Sequence, residues 1–272
     1  MNAAALIGAT LAAALCSFTA AEAAMHWAPA PVEHSSGHGG HGGHSRNAAK
    51  PFMLVEGDGA SLSLINPKLN ATPVTAERSR VAIKPTGMGN YHALVATRST
   101  GEQHESAIRY IYMSGEPSGE SPSRLVGHEK SELEIEPAPL AREHWRYYSA
   151  TEAVFILRFR GKPLADATIT LATGNGTTSE FRTDVRGRVT VPLPEDFSMI
   201  KPGRAGNKPS EFVVTASHSD GGQTYITTFS SAYSVNPKHW QSTELGLATV
   251  LGGMLLGGGI ITIGRRRRKE KT

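Results

Sequence analysis

The chain has 272 residues, one cysteine and a formal net charge of +4. The excess charge is local: the last eight residues, Arg265 to Thr272, carry six cations and one anion, and from Ala24 to Gly264 the two signs balance at 22 each. The basicity belongs to the tail, and no basic face for phosphate binding follows from the balanced body. The lone cysteine, Cys16, leaves the chain after it without disulfides, cysteine zinc sites or a thiol nucleophile.

Residues 1–23 read as a secretory signal peptide. The apolar run Ala3 to Leu15 is too short to span a bilayer, and Ala21-Glu22-Ala23 fits the small-x-small cleavage rule. Cleavage after Ala23 makes Ala24-Met25-His26 the new N-terminus. A free amine, two backbone amides and a third-position imidazole then form a set of four nitrogens, and square-planar nitrogen ligation selects Cu(II) or Ni(II). Met25 permits this, because its amide nitrogen carries a proton to lose, unlike that of proline.

The segment 24–51 is rich in His and Gly. Five of the eleven histidines fall between Ala24 and His44. His34, His38, His41 and His44 are separated only by Ser and Gly, a filler with no packing preference of its own. Such a tract is a compositional metal-binding signal, and its imidazoles suit Ni, Co, Cu and Zn alike. The expected metal ligands are therefore Ala24, Met25, His26, His34, His38, His41 and His44. A solvated His-rich linker, or a charge patch that titrates near neutrality, are the alternatives.

From Phe52 onward, short apolar stretches alternate with turn residues. Strands are predicted over 61–65, 81–84, 92–97, 108–113, 132–135, 154–160, 167–172, 180–183, 188–193, 212–218 and 224–230. In Ala167-Thr168-Ile169-Thr170-Leu171 the apolar side chains fall two apart, which marks a strand with one buried face. Asp184-Val185-Arg186-Gly187 has the residues of a type I turn, and Ser219-Asp220-Gly221-Gly222 those of a hairpin loop. The fold class is all-β, in one or two Ig-like β-sandwich modules. The Ser/Pro/Gly/Glu-rich piece Ser114 to Gly127 is the predicted boundary, giving a first β module with its linker over 52–127 and a second over 128–236. A single larger sandwich with a long loop is the alternative. Residues 195–210 read as a long loop within the second module.

Three pieces follow one another in the second module: Leu133-Glu134-Ile135-Glu136-Pro137, then Phe155 to Ala167 (FILRFRGKPLADA), then Thr183-Asp184-Val185-Arg186-Gly187-Arg188-Val189. Together with Tyr225-Ile226-Thr227-Thr228-Phe229, this region resembles an uncharacterised bacterial family known as the periplasmic component of cobalt/nickel uptake systems. The resemblance covers about residues 128–235. It implies a β-sandwich and an envelope location.

A transmembrane helix is expected over 243–264. Its core, Leu245 to Gly264, is uncharged and long enough to cross once. The basic tail 265–272 then lies in the cytoplasm by the positive-inside rule, and the β modules lie outside it, in the periplasm of a bacterial inner-membrane protein. Gly253 and Gly257 have the spacing of a helix-dimer seam, so a homodimer through this helix is a candidate. No Gly-x-Ser-x-Gly elbow, His-Glu-x-x-His pair or phosphate-binding glycine loop is present, so a non-enzyme is expected. Two functions follow from this reading. One is a membrane-anchored periplasmic metal-binding protein that captures Cu, Ni or Co for uptake, delivery or buffering, with a metal transporter in the same membrane as partner. The other is a structural or interaction protein that displays Ig-like modules on the envelope.

Overall fold

The computed structural model describes residues 24–31, 49–142 and 146–241. The expected signal peptide, His34 to His44, the transmembrane segment 243–264 with Gly253 and Gly257, and the basic tail lie outside the described residues. Among the described residues seventeen strands follow in order. The first eight are β1 His26–Pro29, β2 Lys50–Val55, β3 Ser61–Ile65, β4 Ala71–Pro73, β5 Arg80–Ile83, β6 Met88–Thr100, β7 Gln103–Met113 and β8 Glu116–Pro117. After the short helix α1, Pro122–Val126, come β9 Leu133–Pro137, β10 Tyr147–Tyr148, β11 Glu152–Phe159, β12 Lys162–Pro163 and β13 Thr168–Thr173. The last four are β14 Thr178–Arg182, β15 Arg188–Pro192, β16 Ser210–Asp220 and β17 Gln223–Ser234.

The local signals act where the side chains allow it. Ile169 and Leu171 on β13 are fully buried, whereas Thr168 and Thr170 face outward. The β16–β17 hairpin closes through Gly221 and Gly222 at φ 57° and 82°, the pair of positive values that a two-residue primed turn needs. In the Asp184 turn the Gly187 amide donates to the Asp184 carbonyl at 2.9 Å. Asp184 Oδ1 accepts from the amides of Arg186 and Arg188, both at 2.8 Å. Those backbone bonds hold the Asp184 carboxyl below its ordinary value.

One large sheet, ordered β14-β13-β16-β17-β7-β6-β3-β4, runs through both halves of the chain. Its joint is a parallel pairing of β17 with β7, from Thr224 opposite Gln103 to Phe229 opposite Ile108. On one half it packs against a sheet of β9, β11, β12 and β15 around Phe155, Leu157, Phe212, Val214 and Phe229. On the other it packs against β1-β2-β5 around Trp27, Leu54, Val81, Leu94 and Ala107. The two sandwiches therefore share a continuous sheet.

Two expectations change in the folded chain. The stretch 114–127, read as linker, contains α1. Ser121 caps α1 by accepting from the Ser123 amide, Pro122 begins it, and Leu125 buries against Ile65, Val95 and Ile108 on the outer face of the sheet. A single apolar pair, Leu125-Val126, carries this burial within an otherwise polar composition. Likewise the segment 24–51 opens with a strand: β1 pairs antiparallel with β2, and Met25 and Trp27 are buried. The Trp27 indole donates to the Ala107 carbonyl at 3.1 Å. Proline at 29 and 31 and the polar tract beyond hide this strand from a period-2 reading.

Candidate functional site

The sandwich has two ends of unlike chemistry. At one, the turns at Gly101, Arg160-Gly161 and Gly221-Gly222 meet. The Thr224 amide donates to Glu102, and the Arg160 guanidinium reaches Asp220 and the Tyr225 hydroxyl. At the other end β7 and β17 finish, and Lys50 Nζ at the start of β2 donates to the Tyr112 carbonyl at 2.5 Å. Because β1 runs antiparallel to β2, the 20-residue connection between Pro29 and Lys50 leaves and re-enters at this second end. A β-hairpin needs roughly two to five residues here, so the fold itself does not require the insertion. All four tract histidines, His34, His38, His41 and His44, belong to it. Pro29 lies directly opposite Phe52, so the connection is closed by a strand pair at its base. The described residues also end there: Ser234 closes β17, and Pro237–His239 form a 3-10 turn just beyond it.

His26 stands apart from the tract. It faces outward and half-buried near the start of β1, about 13 Å along the strand from Ala30 at roughly 3.3 Å per residue. Its Nδ1 donates to the Ala24 carbonyl at 2.8 Å, which leaves Nε2 as the lone-pair nitrogen. The Leu54 amide donates to Ser79 and the Ala30 amide to Pro51. Alternation along an antiparallel ladder then points the His26 amide at Val55. The Met25 side chain is 1% exposed, and its carbonyl accepts from Thr228 Oγ1 at 2.6 Å. Of the expected square plane, the His26 amide and Nδ1 are thus already bonded, and Met25 is held by its buried side chain and its carbonyl. Four-nitrogen chelation at Ala24-Met25-His26 requires the start of β1 to leave the sheet.

Three of the other described histidines have polar side-chain partners. His92 is fully buried; its Nδ1 donates to Asn90 O at 3.1 Å and its Nε2 accepts from Thr86 Oγ1 at 2.7 Å. Burial holds it neutral by lowering its pKa. His104 Nε2 donates to Gln223 Oε1 at 2.9 Å, and the ring stacks on Tyr225. His239 lies 3.5 Å from Glu195. Among the described residues no three His, Cys, Asp or Glu side chains converge as a metal site.

Sequence reasoning missed a cleft of about 950 Å³ at the tract end of the molecule. It opens where β17 parts from β7 beyond Phe229 and pairs instead with β10, Tyr147 opposite Tyr233. Lys50, Arg142, Arg146, Arg204 and Lys208 line it and are exposed, with Trp240 beside them. A sixth cation, Arg109, is neutralised by Glu211. No local signal marks this site, because its cations are scattered along the sequence and gather only through the sheet topology.

No family model matches the chain, and no curated protein matches it. Among solved structures it is similar to a Ca2+-stabilized adhesin that helps an Antarctic bacterium bind ice, at 18% identity and a TM-score of 0.27, over 71% of this chain and 45% of that one. It is also similar to the D0-D1 domain of intimin, at 14% identity and a TM-score of 0.25, over 69% and 89% of the two chains. A third is a two-domain fibronectin type III segment of chicken tenascin, at 11% identity and a TM-score of 0.22, over 70% and 93%. This chain spans less than half the length of the ice-binding adhesin.

Proposed function

We propose that the chain is a membrane-anchored, periplasmic metal-binding protein whose β-sandwich body holds the His34–His44 connection close to the bilayer. There it captures Cu, Ni or Co and passes the ion to, or withholds it from, a transporter in the same membrane. The carrying observation is the base of the tract: Pro29 and Phe52 close it as a β1–β2 pair, at the end of the body where β17 finishes and the described residues end at Gln241. Tying both ends of this Gly/Ser-rich connection lowers the entropy lost when its imidazoles gather round one ion. Among the described residues no helix is long and apolar enough to cross a membrane; the proposed anchor lies beyond them.

The test is a visible-absorption titration of the full chain with Cu(II) and then Ni(II), repeated with His34, His38, His41 and His44 replaced by Ala. Loss of the tight equivalents in the quadruple variant is the expected result. Unchanged binding sinks the reading. One observation favours the second reading, an interaction protein. A groove of about 860 Å³ runs between the edge strands β4 and β5, with Leu64, Val81 and Ile83 in its wall. Such an edge is where an extended peptide can add as a strand.

A further inference from the structure

We infer that the basic cleft is a seat for the phosphate headgroups of an anionic phospholipid bilayer and that it docks the body on the membrane. This rests on the anchored reading above in one respect, the position of the bilayer. From Gln241 to Leu245 the chain spans at most about 14 Å at roughly 3.5 Å per residue. A helix beginning at Leu245 therefore keeps this end of the sandwich at the interface and the opposite end away from it.

The surface there suits that neighbour. Arg142, Arg204 and Lys208 are exposed and form no ion pair among the described residues. Three carboxylates at the same end are already engaged, whereas Glu116 and Glu152 there are exposed. Glu211 binds Arg109 through two bonds, Glu195 faces His239, and Asp196 accepts from Tyr233, Thr173 and Asn175. Planar guanidinium forks match phosphate oxygens, which favours a phosphate ester over a simple anion.

A second feature points to a bilayer over a soluble phosphate. The 194–209 loop carries Met199 at 78% exposure and Ile200 at 42%, beside Lys201. Asn207 braces this tip and also lines the cleft: its Oδ1 accepts from the Lys201 amide at 2.8 Å, and its Nδ2 donates to the Lys201 and Gly203 carbonyls. Exposed apolar side chains flanked by cations insert at the headgroup–acyl boundary, and Trp240 at the rim is the residue type enriched at that depth.

The experiment uses the full chain, with Cys16→Ser removing the native thiol and Met199→Cys carrying an environment-sensitive fluorophore. The chain is reconstituted in phosphatidylcholine vesicles with and without phosphatidylglycerol. The expected result is a blue shift only with phosphatidylglycerol, abolished by high salt. Arg204→Gln with Lys208→Gln lowers the docked-to-free ratio by about 25-fold, each cation near an anionic surface contributing roughly fivefold. Equal emission in the two vesicle types overturns the inference. So does a double variant that docks as well as its parent while retaining the parent's thermal midpoint. If inorganic phosphate or glycerol phosphate saturates the cleft in phosphatidylcholine vesicles and abolishes docking when phosphatidylglycerol is present, the site belongs to a soluble anion and the lipid assignment falls. Alkaline carbonate extraction reads the anchor separately: release of the chain defeats the membrane-anchored reading, whereas retention without a phosphatidylglycerol-dependent shift defeats only the docking cleft.

Discussion

The guanidinium of Arg109 on β7 meets the carboxylate of Glu211 on β16 through two parallel bonds, Nη1 to Oε2 at 2.6 Å and Nη2 to Oε1 at 3.1 Å. The partners lie 102 residues apart, on either side of the 114–127 segment, and the pair ties the two sandwiches beside the point where β17 leaves β7. Arg109 also lies 5.3 Å over the Phe52 ring, which links it to the β1-β2-β5 sheet.

The arginine side chain is 10% exposed and the glutamate 26%, so the two truncations are not equivalent. Glu211→Ala strands a buried cation and is expected to cost roughly 2–4 kcal/mol. Arg109→Met keeps the apolar stem over Phe52 and leaves the more exposed partner to water, so its cost is smaller. Urea unfolding of the two single variants and the double variant measures the coupling. Equal costs with no coupling would show the pair to be incidental.

The N-terminal strand supplies a second prediction. Because the His26 amide faces Val55 and Nδ1 is bonded to Ala24, Cu(II) is expected to reach the tract imidazoles first. A square-planar amide spectrum at Ala24-Met25-His26 is expected only together with release of β1. Trp27, 1% exposed and bonded to Ala107, reports that release through a red-shifted emission. A first-equivalent amide spectrum with unchanged tryptophan emission contradicts the described strand geometry.

Much of the second sandwich was legible from local pattern. β13 and the β16–β17 hairpin show period-2 burial and a Gly-Gly turn, and the structure places them within two or three residues of the predicted bounds, apart from the longer C-terminal end of β17. The parallel β17–β7 joint was not legible, since pairing across more than a hundred residues leaves no periodic trace. Nor was the cleft: Lys50, Arg142 and Arg204 look like scattered surface charge until the end of β17 is placed. The histidine tract was plain as composition, but its closure at both ends depends on β1, whose four residues end in proline.

Glu134 gives a pH dependence with a definite sign. It is 3% exposed, accepts from the Lys130 amide at 3.0 Å, and has Oε1 at 2.5 Å from the Lys130 ammonium. That ammonium also donates to the Leu125, Val126 and His128 carbonyls, which cap the end of α1 and share its charge. Burial raises the Glu134 carboxyl from 4.5 to about 7, against the opposing pull of Lys130. The folded chain therefore binds the extra proton between those two values, and its stability falls as pH rises through that window. The full effect is about 3 kcal/mol at roughly 1.4 kcal/mol per pH unit. Glu134→Gln is expected to flatten this part of the profile and to be no less stable than the parent above neutrality, because the three carbonyls still hold Lys130. Urea midpoints across the range decide it, and an unchanged slope in the variant removes Glu134 as the cause.

Gly187 closes the Asp184 turn at φ 69°, and a Cβ there lies 2.6 Å from the Leu157 carbonyl oxygen and 2.9 Å from the Leu164 nitrogen. Both are backbone atoms, held by the Leu157 amide donating to Gly187 O and the Leu164 amide donating to Leu157 O. Gly187→Ala therefore adds left-handed strain to an overlap that no rotamer change relieves, with an expected loss of roughly 2–4 kcal/mol. Gly221 has a similar φ of 57° but open space around its Cβ position. Gly221→Ala bears only the backbone strain, about 1 kcal/mol. A thermal midpoint for the Gly187 variant at or above that of the Gly221 variant would place the turn away from the β11 backbone against which it packs.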